Sequence, residues 1–217
     1  MGRPRILDLF CCQGGAGYGY HLAGFDVVGV DLDPQPRYPF AFIQHDALTL
    51  DMRFLRSFDA IHASPPCQAH SLAQRIQNRT HPDLIDATRA LLKATGLPWI
   101  IENVEGAPLV NPVKLCGAMF PGLRVYRHRL FESNVTLSCP PHPAHLAPLR
   151  KMGRPPAAGD FMHVVGNFSG VETAKTAMGG VDWMNRDGLR ESIPPAFTEY
   201  LGRQLLAHIA LQQRAAA

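Results

Sequence analysis

The sequence lacks the features that would place the protein in a membrane or outside the cell. It has no run of about 18 apolar residues, the length that a membrane-spanning helix needs. Its first ten residues, MGRPRILDLF, lack the long apolar core of a secretory signal peptide. Its five cysteines are irregularly spaced and do not form a disulfide framework. These absences predict a cytoplasmic protein with no membrane partner.

Charged residues are also scarce, at 18% of the chain, whereas hydrophobic residues make up 46%. A chain of 217 residues with this composition can build the full core of one domain. The formal net charge of +3 and the pI of about 8.7 permit a nucleic-acid partner without requiring one. No internal repeat is visible, which excludes a solenoid.

Short apolar runs alternate with helical or irregular segments along the first half of the chain. Such alternation predicts an α/β fold with a mostly parallel sheet and helices on both faces. We expect strands over residues 5–10, 25–33, 40–47, 59–64 and 97–104. Helical spacing of apolar residues predicts helices over residues 49–58, 81–96 and 194–213.

The segment from residue 139 to 156 contains six prolines and has no periodicity, so it predicts a small loop-rich insert. The sequence therefore divides into three parts. We expect a catalytic and cofactor-binding core over residues 1–133, the insert over residues 134–180, and a C-terminal segment over residues 181–217 that returns to the core.

Polar and glycine residues follow the predicted strands, and ligands of open parallel sheets bind at the carboxyl ends of strands. A glycine-rich turn follows Phe10, and the second strand ends in acidic residues. Glycines let the backbone approach a ligand, and a carboxylate accepts hydrogen bonds from ribose hydroxyls. The pattern is typical of a nucleoside cofactor site. The glycine turn alone could also serve NAD, and a glycine-rich turn without a ligand is the alternative.

The segment SPPCQAHS, residues 64–71, places Cys67 directly after two prolines. Pro65 and Pro66 fix their own φ angles and disfavour helix at the preceding residue, so Cys67 lies on a stiffened extended loop. Glu102 lies near the end of the neighbouring predicted strand. A thiolate can add to carbon 6 of a pyrimidine while a glutamate holds ring nitrogen 3, which makes carbon 5 nucleophilic enough to accept a methyl group. The alternatives are a buried structural cysteine and a strand-end carboxylate paired with an arginine.

These segments resemble the motifs of the DNA (cytosine-5) methyltransferase family, in family order. DLFCCQGGAGYGYHLAGFDVVGVDLDP resembles its first two motifs, SPPCQAHS its Pro-Cys-Gln motif and IENV its Glu-Asn-Val motif. RHRLFES resembles the arginine motif, and IPPAFTEYLGRQL the closing motif. The chain resembles a short member with a reduced target-recognition region. The resemblance implies the Rossmann-like S-adenosylmethionine-dependent methyltransferase fold.

The resemblance also implies S-adenosyl-L-methionine as the cofactor. By position, Phe10 packs on the adenine, Asp31 binds the ribose, and Asp46 meets the adenine amino group. The cofactor-binding residues implied in this way are Phe10, Gly14, Gly15, Asp31, Asp46 and Pro65.

For catalysis, the resemblance implies that Cys67 is the nucleophile and that Glu102 holds ring nitrogen 3. Arg127 would contact the base carbonyl and Arg129 would support the site. The implied substrate-binding residues are Gln68, Ser71 and Asn103. The implied partner is double-stranded DNA with the target cytosine flipped out of the helix. The implied location is the cytoplasm of a bacterium or of a phage-infected host.

The region available to recognise a target sequence, residues 134–180, is short. Such a region contacts few base edges, so the recognised site is short or a partner contributes. Because this region is short, an alternative is that the protein methylates RNA or a free pyrimidine nucleotide by the same chemistry. Two further alternatives are a catalytically inactive DNA-binding homologue and a NAD-linked oxidoreductase, although the oxidoreductase offers no role for Cys67 and Glu102.

The insert contains one run with the residue types of a metal site. Cys139, His142 and His145 form a C-x2-H-x2-H run, and Cys116 is a candidate fourth ligand. No second ligand pair follows at regular spacing. We therefore favour ordinary loop residues over zinc ligands and expect no metal.

Overall fold

The computed structural model describes residues 2–66, 83–150, 154, 157 and 159–215. Its strands are β1 (Arg5–Leu9), β2 (Asp26–Asp31), β3 (Ala41–Gln44), β4 (Ala60–Ala63), β5 (Trp99–Asn103), β6 (Val113–Leu115), β7 (Arg129–Ser133), β8 (Leu149–Arg150) and β9 (Phe161–Met162). Its α-helices are α1 (Gly15–Ala23), α2 (Met52–Leu55), α3 (Ile85–Thr95), α4 (Val171–Ala177), α5 (Arg186–Glu191) and α6 (Pro195–Ala215).

In this described part of the chain, seven strands form one sheet in the order β3-β2-β1-β4-β5-β7-β6. Strands β1 to β5 run parallel to one another. Strand β7 is antiparallel to both of its neighbours, β5 and β6. The predicted strands coincide with β1 to β5, and the prediction of a mostly parallel α/β sheet is confirmed.

Alternate residues of the central strands bury opposite faces of the sheet, as the period of two requires. Ile6 and Ile100 belong to a core cluster with residues of α1 and α6. Leu7 and Ile101 belong to a second cluster, together with residues of α2 and α3 on the other face. Each large side chain buried in this way contributes about 1.5–3 kcal/mol to folding. The predicted helices on both faces are therefore confirmed.

Helix α6 lies against α1, and its buried residues Phe197, Leu201, Leu205 and Ile209 recur every four residues along one face. A Cβ atom added at Gly19 of α1 would lie 2.1 Å from the carbonyl oxygen of Pro195. The close approach of the two helices therefore requires glycine there. The glycine-rich segment was predicted as a turn, and the structure confines the turn to residues 10–14 because helix α1 begins at Gly15.

The region after β7 has a small core of its own. Met162, Phe168 and Met178 pack together with Val125 and Leu189, which lie before and after the predicted insert. Strands β8 and β9 form a parallel pair beside this core. The insert is thereby packed against both flanking segments of the chain.

Among the described residues, no helix combines the length and the apolar character needed to cross a membrane.

Candidate active site

The predicted site residues lie at the carboxyl edge of the parallel strands. Phe10 directly follows β1, Asp31 ends β2, and Asp46 lies two residues beyond β3. Pro65 lies two residues beyond β4, and Glu102 and Asn103 end β5. The predicted cofactor residues Phe10, Asp31, Asp46 and Pro65 thus lie at or beyond the ends of β1 to β4. Of the predicted catalytic residues, Glu102 lies on β5, while Arg127 and Arg129 lie just before and at the start of β7.

Asp31 holds the turn that follows β1. Its Oδ2 accepts a hydrogen bond from the Cys12 backbone N–H at 2.9 Å, and its Oδ1 accepts one from the Asp33 N–H at 3.2 Å. Phe10 and Cys12 have φ angles of 58° and 45°, which fold the backbone sharply at this point. Each carboxylate oxygen has two lone pairs, so Asp31 retains the capacity to accept hydrogen bonds from ribose hydroxyls.

Gly14 and Gly15, predicted to contact the cofactor, also meet packing requirements of the protein itself. Gly14 has a φ of 84° and precedes α1, and a Cβ atom there would lie 2.8 Å from Pro39 Cδ. A Cβ atom on Gly15 would lie 2.0 Å from Ser192 Oγ. Both glycines are therefore explained by the close approach of neighbouring segments, and their contact with a cofactor remains a prediction.

Asp46 lies at the start of the short helical turn that follows β3. Its Oδ1 accepts a hydrogen bond from the Leu48 backbone N–H at 2.9 Å, and its side chain is exposed. The carboxylate is therefore accessible at the edge of the sheet, as contact with an adenine amino group requires.

Sequence reasoning missed Asp8, a buried carboxyl group in the middle of β1. The Tyr38 hydroxyl donates a hydrogen bond to its Oδ2 at 3.1 Å, and Oδ1 has no hydrogen-bond partner among the described residues. Burial raises the pKa of Asp8 to about 8, so the carboxyl group is largely protonated at neutral pH. A charged residue inside an apolar predicted strand was the sequence feature that could have identified Asp8.

We expect the stability of the protein to fall as the pH rises from about 4 to about 8, because only the folded state keeps the Asp8 proton over that range. Asp8→Asn keeps the acceptor for Tyr38 and removes the titration. The variant should therefore lose less stability than the wild type between pH 5 and pH 8, as measured by urea unfolding. Equal pH dependence in the two proteins would show that Asp8 does not titrate in this range.

Asn103 holds the segment that leads into the predicted nucleophile loop. Its buried side-chain amide donates a hydrogen bond to the Pro65 carbonyl oxygen at 3.0 Å, and its Oδ1 accepts one from the Val104 N–H at 2.9 Å. Asn103 thus joins the ends of β4 and β5. The prediction that it binds substrate is not tested by these contacts.

Glu102 is buried beside an arginine. Arg129 Nε lies 2.8 Å from Glu102 Oε1. Burial raises the pKa of Glu102, while Arg129, Arg127 and a hydrogen bond with Ser64 oppose this shift without cancelling it. The arginine pairing considered as an alternative is therefore present. It is compatible with a catalytic role, because a raised pKa favours the protonated form that donates a hydrogen bond.

A series of buried polar groups connects helix α1 to Glu102. The sequence analysis did not identify it. The Tyr20 hydroxyl lies 3.0 Å from His62 Nδ1, and His62 Nε2 lies 2.8 Å from Ser64 Oγ. Burial lowers the pKa of His62 to about 3, so its ring is neutral. These polar contacts fix the Ser64 hydroxyl, which contacts Glu102 and thereby orients its carboxyl group.

Arg127, two residues before β7, connects this part of the chain to the insert and to the C-terminal segment. Its Nη1 donates a hydrogen bond to the Val164 carbonyl oxygen at 2.8 Å, and its Nη2 donates one to the Arg190 carbonyl oxygen at 2.6 Å. These contacts position the insert and the C-terminal segment. The predicted contact of Arg127 with the base carbonyl stays a prediction.

Cys67, Gln68 and Ser71 lie outside the described residues. The strand that precedes the Pro65–Pro66 segment, β4, is the direct parallel neighbour of β5, which carries Glu102, as predicted. A cavity of about 440 Å³ lies just beyond the end of β5, and its lining includes Glu105, Arg127, His128, Arg129 and His145.

The family model for C-5 cytosine-specific DNA methylases matches residues 4–112, which include the glycine turn, Cys67 and Glu102. The chain therefore belongs to the C-5 cytosine-specific DNA methylase family, and methyl transfer to cytosine is the activity that this family defines. Among curated proteins, none matches the sequence at a significant level.

Two solved structures share the fold over nearly the whole chain. A protein assigned as a DNA modification methyltransferase encoded within an E. coli prophage matches with a TM-score of 0.66 and 15% identity, covering 96% of this chain and 99% of the other. The S. pombe Dnmt2 methyltransferase matches with a TM-score of 0.61 and 14% identity over the same shares. These matches confirm the Rossmann-like methyltransferase fold.

Proposed function

We propose that the protein transfers a methyl group from S-adenosyl-L-methionine to carbon 5 of cytosine in double-stranded DNA, through a covalent Cys67 adduct at carbon 6. The observation that carries this proposal is the pairing of β4 with β5, which brings buried Glu102 next to the Pro65–Pro66 segment leading into Cys67. Asn103 stabilises this arrangement through its hydrogen bond to Pro65.

The described residues at the carboxyl edge fit a nucleoside cofactor. Asp31 has acceptor capacity for ribose hydroxyls, Asp46 is an exposed acceptor, and Phe10 is a half-buried aromatic ring. S-adenosyl-L-methionine supplies an electrophilic methyl group when it is bound. The residues that would hold it are Phe10, Gly14, Gly15, Asp31, Asp46 and Pro65.

In this mechanism Glu102 and Cys67 act on the cytosine together. Protonated Glu102 donates a hydrogen bond to ring nitrogen 3 and draws electron density from carbon 6. The Cys67 thiolate then adds to carbon 6, which makes carbon 5 nucleophilic. After methylation, a water molecule takes the carbon 5 proton and the thiolate leaves carbon 6, which restores the aromatic ring. Gln68, Ser71, Asn103 and Arg127 would orient the base, and Arg129 keeps Glu102 in place.

Double-stranded DNA is the proposed substrate, with the cytosine flipped out so that carbon 6 becomes accessible. The net charge of +3 is compatible with binding to phosphate. The short insert keeps RNA and free pyrimidine nucleotides as the competing substrates.

A transfer assay with tritiated S-adenosyl-L-methionine separates these substrates. Double-stranded DNA, RNA of the same sequence and deoxycytidine monophosphate are compared, and the product is identified by mass spectrometry after hydrolysis. We expect 5-methylcytosine in DNA. Methylation of RNA or nucleotide alone would reject the DNA substrate, and no transfer with DNA binding intact would favour the inactive homologue.

The cofactor assignment predicts that Asp31→Ala weakens the binding of S-adenosylhomocysteine at least about tenfold. Hydrogen bonds to a charged acceptor contribute about 1.5–3 kcal/mol, and 1.4 kcal/mol corresponds to a factor of about ten. Isothermal titration calorimetry measures the affinity, with Asp33→Ala as the control at a neighbouring exposed carboxylate. Unchanged affinity in Asp31→Ala, or tight NAD binding by the wild type, would contradict the assignment.

A further inference from the structure

Cys116, His128, His142 and His145 form a cluster beside the catalytic residues, which we call the Cys-His cluster. Their four potential ligand atoms all lie within 4.8 Å of one another. Cys116 is buried, His128 is half-buried, and the other two histidines are exposed. The cluster therefore reaches from the interior of the domain to its surface.

The cluster joins two parts of the chain that the sequence keeps apart. Cys116 follows β6, and His128 stands between Arg127 and Arg129 immediately before β7. His142 and His145 come from the proline-rich insert. Cys139, which the sequence spacing had suggested as a ligand, is exposed and lies outside the cluster. His128 is the fourth member of the cluster instead of Cys139, and no spacing in the sequence indicates this.

The distances inside the cluster suit a tetrahedral zinc ion. Cys116 Sγ lies 3.2 Å from His145 Nε2, and His128 Nε2 lies 3.1 Å from His142 Nε2. Ligand atoms bonded at about 2.0–2.3 Å to a tetrahedral zinc ion lie about 3.3–3.8 Å apart. The ligand atoms of these pairs would have to move by less than a bond length to surround a zinc ion.

The surroundings orient His128 as a ligand. Its Nδ1 lies 3.5 Å from Glu105 Oε2, on the side away from the cluster. A carboxylate at Nδ1 favours the tautomer with the proton there, so that Nε2 presents its lone pair to the cluster. Metal-binding histidines usually donate their second N–H to such a carboxylate or carbonyl.

Tyr126 fixes the insert at the same place. Its ring stacks on His145 with the centroids 3.7 Å apart, and its hydroxyl donates a hydrogen bond to the Ala147 carbonyl oxygen at 2.7 Å. His145 is therefore held against the core although its side chain is exposed.

We propose that Cys116, His128, His142 and His145 bind one zinc ion in a closed structural site. Binding releases the proton of the Cys116 thiol, and the three imidazoles bind as neutral ligands. The ion and the thiolate together carry a net charge of +1, and the nearby Glu105 carboxylate contacts both His128 and Lys114. Four protein ligands leave no open position for water or substrate, so the ion is structural.

The zinc ion connects the insert to the segment that carries Arg127 and Arg129. Arg129 contacts Glu102, and Arg127 holds the insert and the C-terminal segment through backbone carbonyls. Loss of the ion should therefore loosen the insert and disturb the position of Glu102. This inference does not depend on the identity of the substrate.

Metal content tests the proposal directly. The full chain is expressed in zinc-supplemented medium, freed of any histidine tag, dialysed and measured by inductively coupled plasma mass spectrometry. We expect about one zinc ion per chain in the wild type. His142→Ala and Cys116→Ser should lose most of it. Two matched controls, Cys139→Ser and His208→Ala, should keep it, because neither residue belongs to the cluster.

Thermal unfolding gives a second readout that does not rely on activity. A metal that binds only the folded state raises the melting temperature, so a chelator should lower it in the wild type. The same chelator should not change the melting temperature of His142→Ala, an exposed position whose replacement keeps the fold. Reloading with cobalt should produce a thiolate-to-metal charge-transfer band in the wild type and in Cys139→Ser, but not in Cys116→Ser.

Three results would overturn the proposal. The first is absence of zinc from the wild type after expression with zinc. The second is retention of zinc in both His142→Ala and Cys116→Ser, which would place the ion elsewhere. The third is loss of zinc in Cys139→Ser with retention in Cys116→Ser, which would assign the site to the C-x2-H-x2-H run of the insert.

Discussion

Replacing Glu102 by glutamine is expected to lower the rate of methyl transfer about 10²–10⁴-fold, the range typical of a lost general acid. Glutamine has nearly the same volume, and its amide group can donate a hydrogen bond to ring nitrogen 3, but it cannot transfer a proton there as a general acid does. The burial that raises the pKa of Glu102 prepares the wild-type carboxyl group for this proton transfer. The tritiated-methyl assay under saturating cofactor and DNA measures the effect on kcat.

The affinity for the cofactor tells whether Glu102 has a catalytic or a structural role. Because Glu102 lies on β5 and Asp31 on β2, Glu102→Gln should keep the wild-type affinity for S-adenosylhomocysteine. Glu199→Gln, at a surface pair with Arg203, is the matched control and should keep full activity. Near-normal turnover in Glu102→Gln, or an equal loss of turnover and cofactor affinity, would argue against the assignment.

Replacing Cys67 by serine should remove transfer altogether, a loss on the order of 10³-fold or more, as for other enzymes without their nucleophile. A hydroxyl group is a far poorer nucleophile than a thiolate at neutral pH and does not add to carbon 6. Cofactor binding should be unchanged, since the predicted cofactor residues belong mainly to β1, β2 and β3. Calorimetry with S-adenosylhomocysteine checks this.

DNA containing 5-fluorocytosine tests the covalent step by itself. Fluorine at carbon 5 blocks loss of the proton, so the adduct between the enzyme and DNA persists and is visible on a denaturing gel. We expect this band with the wild type and with Cys139→Ser, the exposed cysteine control, but not with Cys67→Ser. A trapped adduct in Cys67→Ser would assign the nucleophile to another residue.

The site joins elements that are distant in the sequence. Asn103 attaches the end of β5 to the Pro65 loop, and Arg129 attaches β7 to Glu102. Arg127 and the Cys-His cluster bring the insert to the same edge of the sheet. The insert is therefore positioned by the segment that carries Arg127 and Arg129.

The sequence by itself determined the strands β1 to β5 and the order of the motifs along them. This was possible because the apolar periodicity of a strand and the residues at its carboxyl end are adjacent in the chain. Phe10, Asp31, Asp46, Pro65 and Glu102 could be assigned to one edge of the sheet for the same reason. The same pattern predicted that the strands before Cys67 and at Glu102 are neighbours, which the pairing of β4 with β5 confirms.

Only the tertiary structure decided the contacts that carry no local signal. Burial inside the folded domain raises the pKa of Asp8, and its hydroxyl partner Tyr38 comes from a segment thirty residues away. The chain from Tyr20 through His62 to Ser64 exists because α1 packs over β4. His128 replaces Cys139 in the Cys-His cluster because the insert folds back on β6 and β7. Each of these pairs is distant in sequence, so its geometry depends on how the helices and the insert pack on the sheet.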